Sequence, residues 1–142
     1  MTVRAVLESK GYNVVTVEPH ARVSAAVKLL SERRIGAVLV MSDRRIAGIL
    51  SERDIVRVLG ERGSSALDET VDAVMTRKVV TCRASDTVAA IMEKMTDGKF
   101  RHLPVVEDNR VIGLISIGDV VKRRVMEYEQ EQEAMRDYIK TA

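Results

Sequence analysis

Gly48-Ile49-Leu50-Ser51-Glu52-Arg53-Asp54 decides the fold, because the chain writes it again as Gly113-Leu114-Ile115-Ser116-Ile117-Gly118-Asp119, 65 positions on (54 to 119). Each copy closes a β-rich run, Arg45 to Leu50 or Arg110 to Ile115, and opens a helix-like one, Ile55 to Leu59 or Val120 to Val125. Serine at the seam with an acid three residues later is a helix-start signature. Helix N-termini carry unpaired N–H groups and a partial positive charge, so such seams favour anions. Two of them in one short chain imply a paired ligand site.

Outward from the seams the repeat persists. Asn13–Leu59 aligns with Lys78–Arg124 without a gap, with identities from Val14/Val79, Val15/Val80 and Thr16/Thr81 through Gly48/Gly113 to Val56/Val121. Such internal similarity has to be read before any fold is proposed. Upstream, Thr2–Leu7 echoes Thr70–Met75 at an offset of 68 (2 to 70), so the first copy carries three extra residues around Gly11, expected in a loop.

Each unit reads as a short helical turn (Val3 to Leu7, Val71 to Met75), an extended segment (Val14–Val17, Val79–Cys82), a helix, two strands and a closing helix. The helix is marked by apolar positions at i, i+3, i+4 and i+7: Val23, Ala26, Val27 and Leu30, then Val88, Ile91, Met92 and Met95. Ser85-Asp86-Thr87 supplies an N-cap region for the second of these. Strands are expected at Ala37–Met41, Ile46–Leu50, Leu103–Val106 and Val111–Ile115, joined by polar turns around Asp43-Arg44 and Asp108-Asn109. Gly60 to Ser65 reads as a flexible connector. The expected architecture is α/β (α+β): two pseudo-symmetric β-α-β-β-α repeats, residues 1–63 and 64–126, packed sheet to sheet, with a helical extension over 127–142. On that extension Val121, Val125, Tyr128, Met135 and Tyr138–Ile139 share a face that the chain itself has nothing left to cover, which points to a partner subunit.

Composition narrows the function. The 142 residues suit one compact domain or two half-domains too small to stand alone. A net charge of +2 from interspersed signs, with 3% aromatic residues, argues against nucleic acid as a partner. One cysteine and two histidines leave no disulfide and little for a metal cluster. The longest apolar run, Ile35 to Met41, is far short of a membrane span, and no leader pattern opens the chain, so no membrane partner and a cytoplasmic setting are expected. Phosphate-loop, dinucleotide-fingerprint and zinc-protease patterns do not occur, which argues against an enzyme and for no catalytic cofactor or metal.

The doubled strand followed by Gly-x-x-Ser-x-x-Asp, together with Arg101-His102-Leu103-Pro104-Val105-Val106, resembles a tandem pair of cystathionine-β-synthase (CBS) domains, a Bateman module, over nearly the whole chain. The resemblance implies an adenine-containing ligand in the cleft between repeats: AMP, ADP, ATP, NAD(H) or S-adenosylmethionine. It implies that Asp54 and Asp119 hold ribose hydroxyls and that Ser51 and Ser116 contact ribose or phosphate. Backbone groups at Val14–Thr16 and Val79–Thr81 would meet the base. Pairing of two modules in a homodimer, through helices including the C-terminal extension, is implied as well.

The residues themselves leave two readings open. A carboxylate accepting two hydrogen bonds suits a vicinal diol, but Ser51 and Asp54 also make an ordinary capping pair. Arg53, replaced by Gly118 in the second copy, suits a phosphate or a surface ion pair with Glu52 or Asp54. Arg101 and His102, ahead of Pro104, are expected to converge with Arg53 on phosphates, with Lys99 solvated and Glu52 turned away or meeting a cation. His20 is expected in solvent and Cys82 as a small, partly buried residue. The leading reading is a regulatory nucleotide sensor acting on an unidentified partner. A purely structural dimerisation module with empty clefts is the alternative, and S-adenosylmethionine or nucleic-acid binding is weaker.

Overall fold

The two hairpins show how closely the repeat governs backbone detail. The computed structural model, which describes residues 1–141, has β2 (Ala37–Ser42) antiparallel to β3 (Arg45–Ser51) and β4 (His102–Glu107) antiparallel to β5 (Arg110–Ser116). Both turns place two successive residues in the left-handed region, Asp43 and Arg44 at φ 49° and 65°, Asp108 and Asn109 at φ 50° and 60°. That is the two-residue turn whose twist matches the flanking strands. Both hairpins also slip register at the same place, skipping Ala47 in one and Ile112 in the other. The bulge precedes Gly48 and Gly113, so it aims the seam.

The remaining elements are α1 (Val3–Lys10), β1 (Thr16–Val17), α2 (Val23–Arg33), α3 (Glu52–Arg62), a 3-10 helix (Gly63–Asp68), α4 (Val71–Val74), α5 (Val88–Gly98) and α6 (Ile117–Thr141). The α/β class, the four hairpin strands and the periodic helices follow the sequence reading within a residue or two at each end. As expected, Thr87 caps α5, its hydroxyl accepting from the Ala90 N–H at 3.1 Å.

Two expectations are corrected. Val79–Cys82 does not form a strand equivalent to β1; only Cys82 pairs, in an isolated parallel bridge with Val105. The reason is Pro104. In the first unit the Leu39 N–H donates to the Val15 carbonyl at 3.1 Å, and Pro104, at the position corresponding to Leu39, has no N–H to give. Gly60 to Ser65 is not a flexible connector either. α3 continues to Arg62, the 3-10 helix follows at once, and Ala66 is fully buried. Arg62 pairs with Glu69 across it.

The two cores do not follow the order of the chain. One cluster joins Val3, Val6 and Leu7 of α1 to Val88, Ile91, Leu103, Ile115 and Val120 of the second repeat. The other joins Val71, Val74 and Met75, around α4, to Val23, Val38, Leu50 and Val58 of the first. Backbone bonds fix this exchange. Val3 N–H donates to Asp86 O at 2.8 Å and Val88 N–H to Met1 O at 2.9 Å; Val71 N–H donates to Ala21 O at 2.8 Å and Val23 N–H to Glu69 O at 2.9 Å. Each repeat is thus completed by the short helix that leads into the other. α6 runs on past its core contact at Val120, leaving Val125, Tyr128, Met135, Tyr138 and Ile139 exposed. Among the described residues no helix is long and apolar enough to cross a membrane.

Candidate functional site

At the first seam Ser51 is the N-cap of α3. Its hydroxyl accepts from the Asp54 N–H at 3.4 Å, and its own N–H donates to Asp54 Oδ2 at 3.0 Å, closing a reciprocal box. The other carboxylate oxygen, Oδ1, accepts from Thr76 Oγ1 at 3.0 Å and lies 3.3 Å from Arg57 Nη1. Thr76 is put there by two backbone bonds with Ile49, both 2.9 Å, which add it to the edge of β3. Asp54 is in consequence 5% exposed, a buried charge with every partner a buried carboxylate needs.

A cavity of about 580 Å³ opens beside this carboxylate, within the range that accepts a small organic ligand. The first repeat contributes Gly36, Ile49, the run Ser51 to Asp54 and Arg57; the segment before α5 contributes Thr76 and Lys78 to Val80; the second repeat contributes Gly98 to His102. Five cationic side chains face it, Arg53, Arg57, Lys78, Lys99 and Arg101, against the two acids Glu52 and Asp54. Ile49, Val79, Val80 and Phe100 give it an apolar wall. Arg53 joins the repeats, its Nη1 donating to the Lys99 carbonyl at 3.1 Å. Lys99 ends α5 in the left-handed conformation, φ 57°.

His102 stands where the repeats meet. A Cβ at Gly36 would come within 3.2 Å of His102 Nε2, so glycine is what lets the ring in. Burial first, then the nearby Lys10 ammonium, holds the imidazole pKa below its ordinary value against the pull of Asp119 and Glu52.

The second seam has the same box: Ser116 N–H donates to Asp119 Oδ2 at 2.9 Å and Asp119 N–H to Ser116 Oγ at 3.1 Å. Its third partner differs. Lys10, the last residue of α1, puts Nζ 2.6 Å from Asp119 Oδ2 and donates to the Leu114 carbonyl at 2.7 Å. Burial pushes the Asp119 carboxyl up, but the Lys10 and Ser116 hydrogen bonds outweigh it and leave the pKa below the usual carboxylate value.

Of the residues singled out in the sequence, Ser51, Arg53, Asp54, Val79, Arg101 and His102 come together in the one cavity. Val14, Thr16, Thr81, Pro104, Ser116, Gly118 and Asp119 lie outside its lining. Thr16 and Thr81 are exposed, and Pro104 is buried inside β4, where it shortens a ladder rather than meeting solvent. Glu52, expected to turn away or to meet a cation, faces the cavity without an ion pair among the described residues, because its N–H bond to the Gly36 carbonyl (3.0 Å) sets it at the repeat junction. Lys99 is exposed, as expected, and also borders the cavity. Val80 lines it as part of the expected Val79–Thr81 segment, whereas sequence reasoning missed Arg57, Thr76, Lys78 and Phe100. Only Arg57 carried a signal, three positions after Asp54 on the same helix face. Cys82 is buried, and burial pushes its thiol up to about 12.

Comparison with known proteins agrees with the repeat. Residues 3–61 and 71–125 each match the CBS domain. A CBS domain-containing protein of Arabidopsis thaliana, CBSX3, described as mitochondrial, is 36% identical over 119 residues, 80% of this chain; the chain spans 58% of that relative's length. A crystal structure of a CBS-domain containing protein from Agrobacterium tumefaciens superposes with a TM-score of 0.86 at 43% identity, covering 87% of this chain and 99% of the other. A CBS domain protein from Pyrobaculum aerophilum, complexed with AMP, gives a TM-score of 0.73 at 25% identity, covering 84% and 89%.

Proposed function

The chain belongs to the CBS-domain family, and from that membership we propose that it is a regulatory module which binds a phosphorylated adenine nucleotide in the Asp54 cavity. The observation that carries the reading is the composition of that one cavity: a carboxylate fixed at a helix start, an apolar wall, and five cations against two acids. A nucleoside needs the first two and phosphates need the third. Arg53 and Arg101 approach from opposite repeats, the arrangement that suits a phosphate chain clamped by planar donors. Asp54 is already bonded, so a ribose diol must exchange with a present partner. The Arg57 pair is the one to give way, since its guanidinium is half exposed and such pairs contribute little.

The AMP complex of the Pyrobaculum relative supports the adenine part of this reading. The charge balance favours AMP, ADP, ATP or NAD(H) over S-adenosylmethionine, whose sulfonium would face the same cations. Binding rather than catalysis is the proposed activity, and a signal follows only if the ligand prefers one arrangement of the two repeats.

A thermal-shift panel of AMP, ADP, ATP, NAD(H) and S-adenosylmethionine tests this. A ligand at 100 times its Kd stabilises by about 2.7 kcal/mol. Stabilisation by a phosphorylated nucleotide, lost in high salt, is the expected result. Silence across the panel would leave the second reading, a dimerisation module, which the uncovered apolar face of α6 favours.

A further inference from the structure

We propose that Lys10 makes this a one-ligand module: its ammonium holds the second seam's carboxylate, leaving only the Asp54 seam open to a nucleoside. The proposal rests on the nucleotide reading of the Asp54 cavity and adds to it which seam works and what closes the other.

The two seams share their serine, their aspartate and their reciprocal box. They differ in the group that completes the carboxylate. At Asp54 it is the Thr76 hydroxyl at 3.0 Å together with the half-exposed Arg57 guanidinium, a looser cation at 3.3 Å. A sugar hydroxyl takes the place of that long, half-exposed Arg57 contact while Thr76 stays bonded, and such a pair contributes little. At Asp119 it is an ammonium at 2.6 Å, tied also to the Leu114 carbonyl. Displacing it exchanges a charge-assisted bond for a neutral one and strips Lys10 of both partners.

Helix length explains why one seam is closed and the other is not. Aligned through Leu7 and Met75, which pack on Gly113 and Gly48, Lys10 corresponds to Lys78. α1 continues through Lys10, advancing about 1.5 Å per residue, and delivers the ammonium beside the seam. α4 stops at Val74, and the chain then runs extended along β3, advancing about 3.3 Å per residue. Lys78 is thereby carried past Asp54 and lines the open cavity as one of its cations.

Calorimetric titration of the full chain with ATP is the test. The wild type is expected to take one equivalent per chain. Asp54→Asn should weaken binding at least tenfold, whereas Asp119→Asn should leave it unchanged. Lys10→Ala should add a second event that Lys10→Ala/Asp119→Asn abolishes. Two equivalents on the wild type, an Asp119→Asn loss equal to that of Asp54→Asn, or a Lys10→Ala protein still at one equivalent would each overturn the proposal. Lysine acylation read by mass spectrometry provides a measurement independent of ATP. Lys10 should react more slowly than Lys28, which is exposed and only loosely paired with Glu32 at 3.9 Å, and lose that protection in Asp119→Asn; equal rates in the wild type would overturn the latch. If no chain binds ATP while Lys10 is protected, the nucleotide reading has failed, and the one-ligand proposal falls with it although the ion pair stands.

Discussion

Met75 sits directly on Gly48: a Cβ added to the glycine would lie 2.6 Å from Met75 Sδ and 2.7 Å from the neighbouring Thr76 carbonyl oxygen. Gly113 is covered in the same way by Leu7, whose Cδ2 would be 2.6 Å from the added carbon. The glycine that opens each repeated motif is therefore where the exchanged helix is seated on the sheet. Gly48→Ala must move backbone as well as a side chain and should destabilise by about 1–3 kcal/mol. Gly113→Ala meets only the branched end of Leu7 and should cost less. Urea unfolding of the two variants checks the order, and equal midpoints would show that the Thr76 backbone yields freely.

The 65-residue repeat made most of the fold legible, because it fixes which strand follows which helix twice over. The exchange of α1 and α4 between cores was not legible. Val3 to Leu7 and Val71 to Met75 carry nearly the same apolar spacing, and nothing local says which sheet either will cover. The missing β1 counterpart was readable in principle from Pro104, since a residue without an N–H cannot extend a parallel ladder. The site divides along the same line. Ser51, Asp54 and Arg53 were visible as a helix-start motif, whereas Thr76 and Lys78 reach the cavity only through tertiary pairing with β3.

His102 makes the stability depend on pH in a definite direction. Its folded pKa lies below the 6.5 of an unhindered imidazole, chiefly through burial. Between the lowered value and 6.5 the unfolded chain binds a proton that the folded chain refuses, so stability rises with pH through that interval. Below the folded pKa the loss is complete and this contribution levels off. Stability should decline as pH falls from 7 toward 5, and His102→Gln should flatten the decline. A slope unchanged by that substitution would place the titrating group elsewhere.

Cys82 should be inert while the chain is folded. Its thiol is pushed up to about 12 by burial, and the thiolate is the reactive form. Iodoacetamide at pH 8 should label it only as fast as the protein opens, and labelling should accelerate sharply in denaturing urea. Rapid modification of the native protein would mean that the bridge between Cys82 and Val105 opens locally.

The extension of α6 should carry self-association. Val121, Val125 and Tyr128 are exposed at spacings of four and three, and Met135, Tyr138 and Ile139 continue the stripe. Arg124, Val125, Tyr128 and Glu131 line a shallow groove of about 260 Å³ on it. Exposed aromatic and aliphatic groups in one line on a long helix bury best against a copy of themselves. Light scattering of the full chain should give twice the 15.8 kDa chain mass, and truncation after Arg124 should lower it. Truncation also removes the Met1–Glu127 ion pair, so Tyr128→Glu, which keeps the helix, is the cleaner variant. A truncated protein and a Tyr128→Glu protein both of undiminished mass would remove α6 from the interface and leave its stripe without a function in assembly.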